Sequence, residues 1–569
     1  MLSRMPKHGK KAIALTAAFS VLSFLPAFAA TRPDAGETIG TIQNRNEVIV
    51  PGKTAPNVES DAKQNKGVKE NQGPKIHVAS IHITGQDLYR EDVLLSLVKD
   101  GIGKDLTMEE LNTRAERISK YFHDKGYLVA AAYIPAQSIR NGAVEIRVVV
   151  GMYGNIDVKN NSELSKGKVN AFLKNLKSGQ YVKKDVLDRA LLLLNDTSGI
   201  NVKAKLAPGK KQGTTDLTVE IKDVQKIVGA ISVDNYGNSY TGNERASIGI
   251  TYRNASGVGD ELIVTGIYAG SNLRNSGISY QEPIGTQGGQ LGVKYARTHY
   301  YLGGSFRALQ ASGDADVRGI YYTQPIVRSR NFNLYGRAGY DHKTLDDHIA
   351  TLTDADDSDK SYVNNKNDNI FNFGIIGNKF DAKGNGVTSF SLTSSLGDLS
   401  INTASVLTYD AYYAKTNGHF AKTNLNIQRQ KYIAKRLSYN LLLSAQKASK
   451  NLDSSEKMFL GGASGVRAYP NGDAGGDTGA IITGELHFDM PTPSFQLAVF
   501  IDNGRVVINE NAYDSSSNKT VLTGAGLGFI WNKRNDYSLR LDFAWRLTDP
   551  LYGDNDKNGR VWLQGIKHF

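Results

Sequence analysis

Two short segments hold the residues best suited to polar chemistry in this chain. The first, 460–479, is rich in glycine and contains Val466, Arg467, Ala468 and Tyr469. The second carries Phe500, Asp502 and Gly504. A guanidinium and a carboxylate brought together form a charge-assisted, two-pronged hydrogen bond, and glycines let a loop approach other backbone closely. On spacing alone two arrangements stand level: Arg467 in an outer loop facing water, or Arg467 turned inward onto Asp502. Other constellations fail. The absence of Cys removes thiolate nucleophiles, thiolate metal sites and disulfides. Residues 461–465 lack the Lys-Ser/Thr pair that completes a phosphate-binding loop. Asp346, Asp347, Asp354, Asp356, Asp357 and Asp359 cluster without the regular ligand spacing of a calcium loop, so a solvated loop is favoured. No catalytic residue, metal or cofactor is assigned, and a formal charge of +12 over 569 residues is too mild to imply nucleic acid.

The elements that must position these residues are strands. Tyr537, Leu539, Leu541, Phe543, Trp545 and Leu547 alternate with Ser538, Arg540, Asp542, Ala544 and Arg546. One face is wholly apolar and the other carries charge. A barrel with lipid outside and water inside explains that pattern over the whole of 227–569, which places Arg540, Asp542 and Arg546 on the lumen. Phe500 and Asp502 have the parity opposite to Phe495, Leu497 and Val499, so Asp502 faces the lumen too. Sixteen antiparallel strands are expected, starting near 227, 243, 259, 273, 288, 314, 332, 366, 386, 405, 430, 476, 494, 521, 536 and 559. Short connections alternate with long ones at 342–365, 447–475 and 505–519, and the chain ends in an aromatic, Phe569.

Upstream lie smaller units. Residues 1–29 read as a secretory signal peptide: Arg4, Lys7, Lys10 and Lys11, an apolar run over 12–25, then Ala27-Phe28-Ala29. That run is shorter than the roughly 20 residues needed to span a bilayer. In the region 30–50 a short helix is expected after Pro33, with Ile39 and Ile42 on one face. Residues 51–75 read as a flexible linker. Residues 76–150 have the order β-α-α-β-β, with a capping box at Thr107 and Glu110, and 151–226 repeat that order.

These motifs resemble the TpsB family, the outer-membrane translocators of two-partner secretion and haemolysin activation. Val466-Arg467-Ala468-Tyr469 is similar to the family's Val-Arg-Gly-Tyr loop motif, with Ala468 at the usual Gly. Phe500, Asp502 and Gly504 match its Phe-x-Asp-x-Gly barrel motif. The resemblance implies a mixed fold: a 16-stranded antiparallel transmembrane β-barrel preceded by two α/β POTRA domains and a short N-terminal plug helix. It implies that Arg467 contacts Asp502 inside the barrel, and a direct pair would let a charge swap recover function. It further implies an outer-membrane location with the POTRA domains in the periplasm, and insertion into outer-membrane lipid by the barrel-assembly machinery. The partner would be a large secreted exoprotein, passed unfolded through the pore. A barrel-assembly insertase of the same superfamily and a passive porin or receptor are the alternatives; neither they nor the translocator is an enzyme or binds nucleic acid.

Overall fold

Strand alternation closes into a barrel in the computed structural model, which describes residues 33–43, 58–60, 73–353, 361–492, 494–533, 535–548 and 558–569. The expected signal peptide lies outside these residues. Among the described residues helix α1 (Ala35–Gln43) comes first, followed by the short strand β1 (Val58–Ser60). The first α/β module comprises β2 (Ile76–Val78), β3 (Ser80–Thr84), α2 (Glu91–Leu95), β4 (Lys104–Leu106), α3 (Met108–Asp124), β5 (Ala130–Tyr133) and β6 (Ala143–Val150). The second comprises β7 (Met152–Asn161), α4 (Lys166–Leu173), α5 (Lys184–Asp196), β8 (Ile200–Pro208) and β9 (Thr214–Asp223). Thr107 and Glu110 form the reciprocal capping box at the start of α3. Leu187, Leu191 and Leu194 of α5, spaced on one helical face, are buried against Val202, Leu217 and Val219 of the second sheet.

The barrel strands are β10 (Ile227–Asp234), β11 (Arg245–Arg253), β12 (Glu261–Ala269), β13 (Leu273–Ile284), β14 (Gly289–Tyr301), β15 (Ala311–Arg328), β16 (Phe332–Thr353) and β17 (Ser361–Phe380). They continue as β18 (Gly386–Ile401), β19 (Gly418–Ala434), β20 (Leu437–Ala448), β23 (Thr478–Asp489), β24 (Phe495–Val507), β25 (Lys519–Lys533), β26 (Tyr537–Arg546) and β27 (Gly559–His568). Between β20 and β23 the chain makes the two-residue strands β21 (Met458–Phe459) and β22 (Gly475–Gly476). All sixteen wall strands pair antiparallel, and β27 returns to β10 to close the cylinder. Leu539, Trp545, Phe529 and Ile501 are exposed on the outside, whereas Asp502, Asp542 and Ala544 are buried within. Closure leaves no free sheet edge, which a lipid-embedded sheet requires. At the module end Trp531 stacks on Phe495 at 5.4 Å and meets Tyr537 at 4.6 Å, an interfacial aromatic cluster.

Four expectations need correction. The strand placed near 405 is a helix, α6 (Ala404–Tyr412), lying in a loop beyond the wall. Asp410 holds its return by accepting from the backbone N–H groups of Thr416 and Asn417, so the next strands begin at Gly418 and Leu437. The long connection expected over 342–365 is largely wall: β16 and β17 extend through it and pair with each other there. Asp346 and Asp347 are therefore strand residues on opposite faces, and Asp354, Asp356, Asp357 and Asp359 lie outside the described residues. The long connection expected over 505–519 is shorter, because β24 runs on to Val507. Finally, the linker is not without structure, since β1 pairs parallel with β8 over Ala204, Lys205 and Leu206, forming an edge strand of the second module's sheet.

The second module is fixed to the barrel rim by ion pairs. Arg328, at the end of β15, donates to both carboxylate oxygens of Asp196 at 2.6 and 2.8 Å, and Arg330 pairs with Asp188 at 2.8 Å. Arg328 is almost inaccessible, so Asp196→Ala would leave a buried guanidinium without its carboxylate, typically a loss of about 3–5 kcal/mol. The expected outcome is faster proteolysis of the 224–226 connection with the heat-modifiable barrel intact; unchanged proteolysis would contradict this role for the pair.

Candidate functional site

The segment between β20 and β23 enters from the end opposite the modules and folds back into the lumen, where Leu460, Val466, Ala468 and Tyr469 are buried against Phe500, Leu522 and Ala544 of the wall. Arg467 sits at its tip. Its Nε and Nη2 donate to Asp502 at 2.9 and 2.8 Å, and its backbone N–H donates to the same carboxylate at 3.1 Å. Nη1 donates to Glu485 at 2.6 Å and to Asp542 at 3.3 Å. The guanidinium carbon lies 3.3 Å from the centroid of the Phe500 ring, a cation–π contact. Side-chain accessibility is 4% for Arg467 and 0% for Asp502, so the charges see each other with little screening from water.

The other motif residues meet at the same place. Arg540 bridges Glu485 and Asp542 at 2.7 and 2.8 Å. Arg546 donates to the Ala468 carbonyl at 3.2 Å and lies 5.0 Å from the Tyr469 ring centroid. The Tyr469 hydroxyl donates to the Thr548 carbonyl at 2.8 Å. Ala468 stands where the family has Gly, yet its φ is not positive, so the backbone does not need Gly there. Its methyl has room because residue 524 is Gly, where an added Cβ would lie 2.7 Å from it. Gly504 faces Leu460 and Val466, and a Cβ on it would come within 3.0 Å of both.

Sequence reasoning missed several participants. Glu485 and Trp562 share the lumen parity of their strands, but parity alone does not single them out. Trp562 Nε1 donates to the Arg467 carbonyl at 2.6 Å. The base of the loop holds a second missed cluster with the signs reversed. Here the wall supplies three cations, Lys343, Lys366 and Lys422, with one wall carboxylate, Asp368, buried beside them, and the loop supplies the anions Asp453 and Glu456. Lys366 donates to Asp453 at 2.6 Å, Lys422 lies 2.8 Å from Glu456, and Lys343 also pairs with Glu456.

Helix α1 seats on this second cluster. Ile39 and Ile42 are buried with Leu273, Tyr300, Val317 and Leu345 of the wall. The Ala35 N–H donates to Asp347 at 2.9 Å. Asp34 accepts from the Glu37 N–H at 2.8 Å, as a helix cap does, and from the Ser454 hydroxyl at 2.6 Å. Lys366 lies 3.7 Å from Asp34, so it joins helix, loop and wall. Gly36 allows the approach: a Cβ there would lie 2.3 Å from Ser454 Oγ and 2.6 Å from the Ser455 nitrogen.

A closed sixteen-stranded barrel, α/β modules at one rim, an inward loop latched by arginine and a helix in the lumen define an outer-membrane protein translocator. The sequence matches the family described as haemolysin secretion/activation protein ShlB/FhaC/HecB over residues 213–530 and a ShlB-type POTRA domain over 76–151. The heme/hemopexin transporter protein HuxB of Haemophilus influenzae (strain 86-028NP) is 31% identical over 490 residues, covering 84% of each chain. The outer membrane transporter CdiB of Dickeya dadantii is 19% identical over 84% of each chain. Among solved structures, CdiB from Escherichia coli superposes with a TM-score of 0.67 at 16% identity over the whole of both chains, which shows the shared fold. The chain belongs to the ShlB/FhaC/HecB family. It is an outer-membrane transporter with periplasmic POTRA domains that secretes a partner exoprotein.

The geometry of the plug gives a direct test. Gly36→Val drives a side chain into Ser454 and the Ser455 backbone, and is expected to unseat α1 while the barrel still folds. Planar-bilayer recordings should show a several-fold rise in open-state conductance events, and a trace identical to the parent would argue against α1 as the obstruction.

Proposed function

We propose that the arginine latch and the seated helix together form the closed state of the secretion pore, opened when the exoprotein engages the periplasmic domains. The observation that carries this reading is that α1 and the loop fill the lumen as one connected body, joined through Asp34, Ser454 and Lys366. Departure of α1 removes an acceptor from Ser454 and an anion from Lys366, which loosens the loop base. Arg467 holds the loop tip to the wall while that happens. The space α1 leaves is bordered by Asp347 and Lys366 of the wall, so the freed path is polar and an unfolded chain does not adhere, while Arg540, Asp542 and Arg546 stay under the loop tip.

Cargo capture by strand addition is supported by β1, which already lies along the β8 edge of the second module. An incoming strand at that edge must displace β1, and β1 is tied through its own chain to α1. Capture would thereby pull on the plug. Export of the chain by a cleaved signal at 1–29 and insertion by the barrel-assembly machinery complete the proposed route. HuxB is named for heme and hemopexin. We infer by that likeness that the exoprotein of this chain serves heme or hemopexin.

Arg467→Ala is the decisive variant for the latch. It strips Asp502 of its cation and leaves Glu485 and Asp542 with Arg540, and Glu485 with His487, a network loss of about 3–5 kcal/mol. Exoprotein in the medium is expected to fall at least tenfold with the barrel still inserted and heat-modifiable; normal secretion would overturn the role. A charge swap of Arg467 and Asp502 is not expected to rescue, contrary to the isolated-pair view, because Glu485 and Asp542 also need the cation at 467. For capture, immobilised residues 30–226 should retain the exoprotein's N-terminal region, and retention of none would count against strand addition.

A further inference from the structure

We propose that the outer face of β16, with the basic edge of the second POTRA domain beneath it, binds one anionic phospholipid of the periplasmic leaflet. The outward residues of β16 shrink to Gly336 and Ala338, while the strands beside them carry Tyr322 and Gln324 on β15 and Phe373 and Ile375 on β17. A groove of about 540 Å³ results. Its upper end is closed by Tyr340 against Phe371, ring centroids 5.0 Å apart. Nothing in the fold demands the small residue: the φ of Gly336 is not positive, and a Cβ there would meet nothing closer than Ile326 Cδ1 at 3.4 Å. The dent opens onto lipid, so an acyl chain is what fills it.

The lower end of the groove leads to charge. The Tyr322 hydroxyl donates to Gln324 at 2.5 Å, and Gln324 donates to the carbonyls of Gln287 and Pro325, each at 3.2 Å. Arg189 of α5 donates to the same Pro325 carbonyl and to the Ile326 carbonyl, both at 3.3 Å. Beside it, Lys174 donates to the Thr286 hydroxyl at 2.8 Å and Lys168 to the Pro283 carbonyl at 2.6 Å. Among the described residues these three cations meet only neutral acceptors at the rim. Their charge stays uncompensated at the depth where β13, β14 and β15 leave the bilayer. A phosphate diester there supplies anionic oxygens to Arg189 and Lys174 while its acyl chain runs up the groove. The lipid would thus tie the second POTRA domain to the membrane beside the Arg328–Asp196 pair.

The test is native mass spectrometry of the full-length protein released from micelles containing equal phosphatidylglycerol and phosphatidylcholine. At least tenfold preferential retention of phosphatidylglycerol is expected, and equal retention of the two lipids overturns the proposal. Gly336→Leu with Ala338→Leu should lower retention of both lipids at least fivefold. Lys174→Gln with Arg189→Gln should abolish the preference while a lipid is still carried. Lys435→Gln with Arg436→Gln, at a rim turn elsewhere, should keep the preference; its loss there would show diffuse attraction and overturn the site. If the groove variants fail the heat-modifiability check for folding, the parent's lipid ratio and the rim pairs still decide the matter.

Discussion

The tip of the inward loop is arranged around one buried guanidinium. Arg467 is removed from water, and a charge so placed is tolerated only with close partners and satisfied hydrogen bonds. Asp502, Glu485 and Asp542 supply the counter-charge from β24, β23 and β26, and Arg540 balances the surplus acid. To bring the arginine this deep, the loop must lie flat on the wall. That is why β25 presents glycine at 524 beneath Ala468 and at 526 beneath the Phe500 ring. The cation–π contact of Phe500 completes a cage that no single pair would form.

The loop has a second anchor of opposite sign, and the reversal matters. At the tip the loop gives a cation to a mainly acidic wall; at the base it gives anions to a mainly basic wall. Turning the loop end for end would set like charges against each other at both anchors, so the two clusters specify one orientation. The base cluster also reaches the plug through Lys366 and Asp34, so loop and helix share one electrostatic foundation. Removal of α1 would take one anion from Lys366 and leave the Arg467 cluster in place.

Much of this was legible in the chain. The alternation of Leu539, Leu541, Phe543 and Trp545 with Arg540, Asp542 and Arg546 declares a wall with one lipid face and one wet face, because strand side chains alternate strictly. Ile39 and Ile42 mark the buried face of α1, although Gly36 and Gly40 argue against a stable helix; those glycines are there for contact with the loop and not for helicity. Other readings failed where local pattern had no force. Residues 404–412 have strand-like composition but lie beyond the wall, with no neighbouring strand to pair with. The polar stretch over 342–365 reads as loop, yet 342–353 and 361–365 are strand, held by pairing between β16 and β17 that polar side chains permit.

The sequence by itself determined the barrel, its strand parity, the two α/β modules and the motif residues that would face inward, since these follow from local periodicity and turn chemistry. Tertiary structure alone decided which lumen groups meet. Glu485, Trp562, Lys343 and Lys366 look like any other inward residue until closure of the cylinder sets far-separated strands around one loop. Pairing across a lumen depends on shear and on loop path, and neither is written in the spacing of any single strand.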